Sequence, residues 1–217
     1  MIPGVSVEVG PAAVVLVGER PLRVLSSAVV RGGFTEARAI VNLHVHKNDP
    51  CLDPAAMIDA FARRARVPAP WIGLLTGALT ERATVGHAAT EGYRALAVTT
   101  VGLSNLVSAG HSPIAVCPHS TINTMVVVDA DPEPAALVNA VITVTEVKGL
   151  ALRTAGLVMP DGAGVSGTST DAVAIAATGR GPVARFGGPA SPLGWVVARA
   201  ARAALEPAIR DWQERNG

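Results

Sequence analysis

The stretch that decides the fold runs from Pro160 to Gly179 and reads PDGAGVSGTSTDAVAIAATG. Gly162, Gly164 and Gly167 have the spacing G-x-G-x-x-G, which marks a dinucleotide-binding turn only when a strand enters it and a helix leaves it. Here the order is reversed, because a long helical pattern precedes the glycines and a short strand pattern follows them. We therefore reject a nucleotide site at this turn.

Three helices are predicted, each from a capping side chain followed by proline. One follows the cap Asp53, and a long one follows Asp131 and closes at Gly156. The third follows Ser191. Pro207 is expected to kink or end this third helix, because proline lacks the backbone N–H that a helix interior needs.

Short runs of β-branched and other apolar residues predict the strands. Their close succession, with turn sequences between some of them, favours hairpins over a doubly wound parallel sheet. The predicted fold class is α+β, with a mixed, mostly antiparallel sheet, helices packed against it, and a single domain over residues 1–217. The predicted strands are 12–18, 22–30, 37–45, 71–77, 82–90, 94–102, 123–130 and 171–178.

Composition restricts the classes of function. Hydrophobic residues make up 49% and charged residues 16%, which argues against disorder. The formal net charge is +1 and aromatic residues are 3%, without a basic stripe, so a nucleic-acid surface is not expected. Two unpatterned cysteines fit a reducing compartment. Neither a signal peptide nor an apolar run long enough to span a bilayer is expected, and a soluble cytoplasmic protein is predicted.

The long helix contains a charge that conflicts with its pattern. Lys148 lies in the middle of an apolar stripe, and lysine is almost never buried without a partner. Such conflicts occur where a site is built, although the lysine stem could also pack while its amine reaches water. Glu146 projects to a different side of the same helix.

Three asparagines lie in or at the ends of predicted strands: Asn42, Asn105 and Asn123. Asparagine is depleted in strands, and a buried amide needs hydrogen-bond partners. Each is therefore a candidate for orienting a ligand, and each is equally explained as a turn cap.

Metal-binding patterns are weak, and no resident metal is predicted. His44 and His46 share one face of a strand with Asp49 nearby, but a further ligand would have to come from elsewhere, and no zinc motif is present. Cys117 and His119 suggest a thiol–imidazole pair, yet a buried structural cysteine is the commoner explanation. The remaining histidines considered as ligands are His87, His111 and His119.

An ordered set of short motifs resembles the adenosylcobinamide amidohydrolase family over roughly residues 25–205. The motifs are LSSAVVRGG with IVNLHV, GLLTGALTERA, TVGLSN, STINTMVVVDA, TVTEVKGLAL, GTSTDAVAIAATG and ASPLGWVVARA. The resemblance implies hydrolysis of the amide that joins the propionyl side chain of a corrin ring to aminopropanol, in corrinoid salvage toward vitamin B12. It implies a corrinoid small-molecule substrate whose cobalt arrives with it, so no protein cofactor is expected. Nucleic-acid and membrane partners are not expected, and a homo-oligomer stays open.

Amide hydrolysis needs an attacking oxygen, a proton path to the leaving amine and donors for the oxyanion. The segment GTSTD offers three hydroxyls and a carboxylate, at Thr168, Ser169, Thr170 and Asp171. The hypothesis is that Thr168 or Thr170 attacks or positions water, while Asp171 with Lys148 or Glu146 tunes proton transfer. Substrate-binding roles are predicted for Ser169, Asn42, Asn105 and Asn123.

Three alternatives remain open from the residues alone. The threonines could pair across the sheet while Asp171 only caps the turn. The protein could hydrolyse another small-molecule amide, or it could bind a corrinoid or other metabolite without chemistry. If Asp171 is catalytic, its replacement by alanine is expected to abolish turnover and leave folding intact.

Overall fold

The computed structural model describes residues 1–46, 49–114 and 120–217. Its helices are α1 (Pro54–Ala65), α2 (Pro134–Thr154) and α3 (Pro192–Asn216), with a short 3-10 helix at Thr80–Arg82. The longer strands are β1 (Val5–Val9), β2 (Ala13–Ser26), β3 (Gly33–His44), β4 (Trp71–Thr76), β5 (Thr84–Thr90), β6 (Tyr93–Val101), β8 (Ile122–Val128) and β11 (Ala172–Ala177). Two-residue strands are β7 (Leu106–Val107), β9 (Asp131–Pro132), β10 (Gly167–Thr168) and β12 (Val183–Ala184).

The long strands form one mixed sheet in the order β4-β3-β2-β11-β8-β6-β5, with β1 added on β2. The β3–β4 and β8–β11 pairs are parallel and the others are antiparallel, so the predicted α+β class and mostly antiparallel sheet are confirmed. One detail differs. The single strand β2 covers most of the predicted strand 12–18 and only residues 22–26 of the predicted strand 22–30, and its pairing with β3 shifts register between Val17 and Leu22.

Apolar residues cover both faces of the sheet, and they sort into three clusters. On β6, Leu96 and Val98 face the other half of the same sheet, whereas Ala95 and Ala97 face α2 and α3. On the other half, alternate residues of β2 and β3 pack against α1. The sheet therefore folds over itself between two helical layers, because both of its faces must be buried.

Local capping residues set two of the helix starts as predicted. The Asp53 carboxylate accepts a hydrogen bond from the Ala56 amide, and the Ser191 hydroxyl accepts one from the Gly194 amide. The predicted start of α2 at Asp131 is wrong by two residues: the cap position is Glu133, because Asp131 belongs to β9, which pairs with β12.

Pro207 does not end α3, which continues to Asn216. Ala204, Ala208 and Ile209 are buried around the proline. Their packing stabilises the helix by more than the proline destabilises it, because tertiary packing contributes more to helix stability than local propensity does. The G-x-G-x-x-G stretch lies between α2 and β11, with its last glycine in β10, so the predicted order of a helix before the glycines and a strand after them is confirmed.

Helix α2 is long and apolar enough, by length and composition alone, to cross a membrane, which was not expected from the sequence. Half of its most apolar window is buried inside the protein. Leu137, Ala140 and Val144 of this helix pack in the cluster between the sheet and α3. The same composition serves a core helix, because burial in protein and burial in lipid select similar residues.

Candidate active site

The Asp171 carboxylate is the centre of the bend that follows β10. Its Oδ1 atom accepts hydrogen bonds from the Ile122 amide at 3.0 Å and from the Thr168 hydroxyl. Its Oδ2 atom accepts from the Thr168 amide at 3.0 Å and forms an ion pair with Lys148 Nζ. One carboxylate therefore joins the bend, the start of β8 and helix α2.

The amine of Lys148 does not extend into water, which was the simpler explanation of this lysine from the sequence. The Lys148 and Asp171 side chains are only 11% and 10% exposed, so each charge has its main partner in the other. The close approach depends on Gly167, since a Cβ atom there would lie 2.2 Å from Asp171 Oδ2 and 2.7 Å from Lys148 Nζ. The glycine before the bend thus makes room for the ion pair.

The bend separates its two threonines. Thr168 is buried and donates its hydroxyl to Asp171. Thr170 is exposed and lines a cavity. Ser169, which is also exposed, accepts a hydrogen bond from the Asn105 amide at 2.8 Å. The bend therefore places Thr170 at the cavity, whereas the Thr168 hydroxyl is bonded to the carboxylate.

The cavity has a volume of about 290 Å³ and lies where β8 and β11 begin and β4 ends. Thr121 and Asn123 are buried in its wall, and Ser27 and Thr170 are exposed polar residues of the same wall. Its lining consists of Ser27, Val29, Pro50, Cys51, Pro54, Leu74, Leu75, Thr121, Asn123, Thr170 and Ala172. Mixed apolar walls with a few placed polar groups are typical of small-molecule sites.

Two of the predicted asparagines form a buried chain of amides behind this cavity. Asn123 Nδ2 donates to Asn42 Oδ1 at 2.8 Å and to the Leu75 carbonyl at 2.9 Å. Asn42 Nδ2 donates to Thr100 Oγ1 at 2.9 Å. Asn42 is fully buried and is not part of the cavity lining, so it holds Asn123 rather than facing a ligand.

Glu146 is not brought to this cluster. It lies in a groove between α2 and α3 together with Thr143 and Arg199. Glu146 and Lys148 are two positions apart on one helix, and about 100° of rotation per residue turns them to opposite sides. Glu146 therefore has no contact with the bend that carries Asp171.

The residues considered as metal ligands are dispersed. The ring of His44 contacts the Ala78 carbonyl at 2.8 Å, and His87 is exposed on β5. His111 contacts Asp161, and this hydrogen bond lowers the pKa of the Asp161 carboxyl below its ordinary value. Within residues 1–46, 49–114 and 120–217, no three His, Cys, Asp or Glu side chains group as a metal site would require. The Cys117–His119 pair lies outside the described residues.

Thr121, Ser27 and Cys51 were not predicted as site residues. Thr121 had a usable pattern in the sequence, because residues 121 and 123 share one face at the start of an apolar strand. Cys51 comes from a loop with no such periodicity. Burial, together with Asp49, raises the pKa of the Cys51 thiol, which favours its protonated form.

Comparison with solved structures gives distant likenesses. A Burkholderia sp. beta-aminopeptidase is 14% identical, with 96% of this chain and 84% of that chain covered and a TM-score of 0.50, which shows a likeness of fold. The PH0078 protein from Pyrococcus horikoshii OT3 is 15% identical over 97% and 80% of the two chains, with a TM-score of 0.47. The L-aminopeptidase D-Ala-esterase/amidase from Ochrobactrum anthropi is 12% identical over 95% and 83%, with a TM-score of 0.41. No curated protein matches.

A family model described as adenosylcobinamide amidohydrolase matches residues 4–217, nearly the whole chain. The protein is therefore a hydrolase that acts on amides. More particularly, it belongs to the adenosylcobinamide amidohydrolase family, so the family expected from the ordered motifs is confirmed.

Proposed function

We propose that the protein hydrolyses the amide joining the corrin propionyl side chain to aminopropanol in adenosylcobinamide. The products are adenosylcobyric acid and the free amino alcohol, and the acid returns to coenzyme B12 assembly. The family match over residues 4–217 supports amide hydrolysis as the reaction. The cavity beside the Thr168–Asp171 bend supports a small-molecule site at this position.

The observation that carries the mechanism is the separation of the two threonine hydroxyls. Thr168 is 6% exposed and its hydroxyl is already donated to Asp171, whereas Thr170 is exposed in the cavity wall. We therefore assign to Thr170 the role left open between the two residues. Its oxygen attacks the amide carbonyl, or it positions the water that attacks.

The two routes differ in their intermediate. If Thr170 attacks, the C–N bond breaks, the amine leaves with a proton, and the acyl group remains on Thr170 as an ester until water releases the acid. If water attacks, no ester forms. Trapping with hydroxylamine, followed by mass spectrometry of the protein and of the corrinoid, separates the two routes.

Asp171 and Lys148 act in this proposal as a buried pair that fixes the bend and influences proton movement near it. Asp171 has four hydrogen-bond or ion-pair partners, which is near the capacity of a carboxylate. The pair therefore holds Thr170 in place and sets the charge behind the cavity. Glu146, from the opposite side of α2, has no part in the reaction.

The wider proposal follows from the same chemistry. Cobalt enters with the substrate, and the protein works without a resident cofactor or metal. The partner is the corrinoid, with neither nucleic acid nor membrane required, in the cytoplasm. Residues 1–217 act as one amidohydrolase domain, and self-association into a homo-oligomer stays open.

The direct test is incubation with adenosylcobinamide, with release of aminopropanol and formation of adenosylcobyric acid followed by mass spectrometry. Release that depends on Thr170 supports the proposal. A corrinoid that binds, seen as a change in its visible spectrum, but is not cleaved would favour a carrier. Absence of both binding and cleavage would favour an amidase for a different substrate.

A further inference from the structure

We infer that the buried part of the cavity wall, formed by Thr121 and Asn123, binds the hydroxyl group of the leaving amino alcohol. This inference rests on the proposed function, and it adds a specificity determinant for the leaving group. The substrate arm would enter with its amide near Thr170 and its hydroxyl at the buried end.

The polar residues that line the cavity differ in their exposure to solvent. Thr121 and Asn123 are 3% and 1% exposed, whereas Ser27 and Thr170 are exposed. A volume of about 290 Å³ lies at the lower limit of ligand pockets, which hold roughly 300–1,000 Å³. Such a cavity admits a side arm and leaves a macrocycle outside. We therefore place the terminus of the arm at Thr121 and Asn123, the two buried polar residues of the lining.

Asn123 can only accept a hydrogen bond from a ligand. Both of its N–H protons are already donated, one to Asn42 Oδ1 and one to the Leu75 carbonyl. Asn42 is held in turn by its own bond to Thr100, so the Asn123 amide is oriented by a continuous buried chain. The capacity that remains is at Asn123 Oδ1, an acceptor with a fixed direction.

The Thr121 hydroxyl supplies the complementary donor. It donates to Asn123 Oδ1 over 3.4 Å, which is long for an O–H···O bond. A ligand hydroxyl between the two would accept from Thr121 and donate to Asn123, replacing one long bond with two ordinary ones. The apolar walls at Leu74, Leu75 and Ala172 suit the carbon atoms of a short amino alcohol.

The test compares two substrates on three proteins. The substrates are adenosylcobinamide and its analogue with propylamine in place of aminopropanol, which lacks only the hydroxyl. We expect the native protein to prefer the hydroxyl-bearing substrate by about 100-fold or more in kcat/KM, because a site built to bond a hydroxyl is left unpaired by the analogue. The Thr121→Val variant removes one of the two bonds to the ligand hydroxyl and should lower this ratio by about tenfold, the scale of one hydrogen bond, while Asn123 Oδ1 still accepts.

Thr124→Val is the matched control. Thr124 is buried on the same strand, its hydroxyl lies 3.1 Å from that of Thr99, and it is not part of the cavity lining. Its variant loses the same hydroxyl outside the site and should keep the native ratio. A ratio within one protein is insensitive to partial unfolding, since both substrates meet the same folded fraction.

Equal kcat/KM for the two substrates on the native protein would overturn the inference while leaving the proposed function intact. So would a Thr121→Val ratio that equals the native one. If adenosylcobinamide is not cleaved, the same ratio is measured as Kd from corrinoid absorbance, and equal affinities overturn the inference. A protein that binds neither compound refutes both the inference and the proposed function.

Discussion

The two sides of the cavity differ in the charge of their polar groups and in the hydrogen bonds that these groups make. At the Asp171 bend, a charged cluster directs its bonds inward to Lys148, Thr168 and the start of β8. At and just before the start of β8, Thr121 and Asn123 are neutral residues of the cavity lining, and their mutual hydrogen bond is long, at 3.4 Å. The comparison teaches that the charged groups satisfy one another within the protein, whereas the neutral groups are the ones to which we assign ligand binding.

The largest effect is expected at Asp171. Replacement by alanine leaves the Lys148 ammonium buried without its carboxylate, and breaking a buried pair in this way costs about 3–5 kcal/mol. Asp171→Ala should therefore lose activity and also much of its stability to urea. The intact folding expected from the sequence does not agree with this burial.

The double variant Asp171→Leu with Lys148→Met separates the cost of the unpaired lysine charge from the cost of losing the bonds that position the bend. Replacing both charges by apolar groups should recover the part of the loss that comes from the unpaired ammonium. The amides of Ile122 and Thr168 still lose their acceptor, so stability should stay below native. Activity should stay absent, since the bonds that position the bend are gone. Full activity in the double variant would contradict a positioning role for the pair.

The next effect compares the two threonines directly. Thr170→Val should lower kcat by about 100-fold or more, the scale of a positioned catalytic group, with stability within about 0.5 kcal/mol of native. Thr168→Val should instead cost about 1 kcal/mol of stability through its lost bond to Asp171. Steady-state kinetics and urea titration on both variants provide the check, and exchanged outcomes would reverse the assignment.

A smaller effect is expected from the amide chain. Asn42→Leu removes the acceptor of one of the two Asn123 Nδ2 protons and the donor to the Thr100 hydroxyl, and each buried group that loses its bond costs about 1–3 kcal/mol. The Asn123 amide is then held by its bond to the Leu75 carbonyl alone, so its orientation is less fixed and KM should rise more than kcat falls. Urea unfolding and a full kinetic analysis measure both parts. An unchanged KM would mean that Asn42 does not orient Asn123.

The smallest effect is expected at Cys51, which lines the same cavity. Burial and Asp49 raise the pKa of its thiol, so the thiolate fraction at neutral pH is lower than for an ordinary cysteine, and the thiolate is the reactive form. Cys51→Ala should change kcat/KM by less than about threefold, within the scatter of surface substitutions. Retention of the native pH–rate profile in Cys51→Ala provides the check. A loss like that of Thr170→Val would make the thiol the nucleophile.

Much of the fold could be predicted because its determinants are local. Asp53 and Ser191 cap the amides three residues later, and apolar alternation marks most strands within their own few residues. The exceptions have distant causes. Asp131 was expected to cap α2, but it pairs with β12. Helix α3 continues past Pro207 because the residues around this proline are buried.

By itself, the sequence determined the class of fold, the family and the conflict at Lys148, because periodicity, capping and a misplaced charge are visible along the chain. Only the tertiary structure decided which threonine of the bend lines the cavity and that Glu146 points elsewhere. It also decided that Thr121 shares a wall with Thr170. The physical reason is that hydrogen-bond partners such as Asn42 and Asn123 are far apart in sequence, and only the folded sheet brings them within reach.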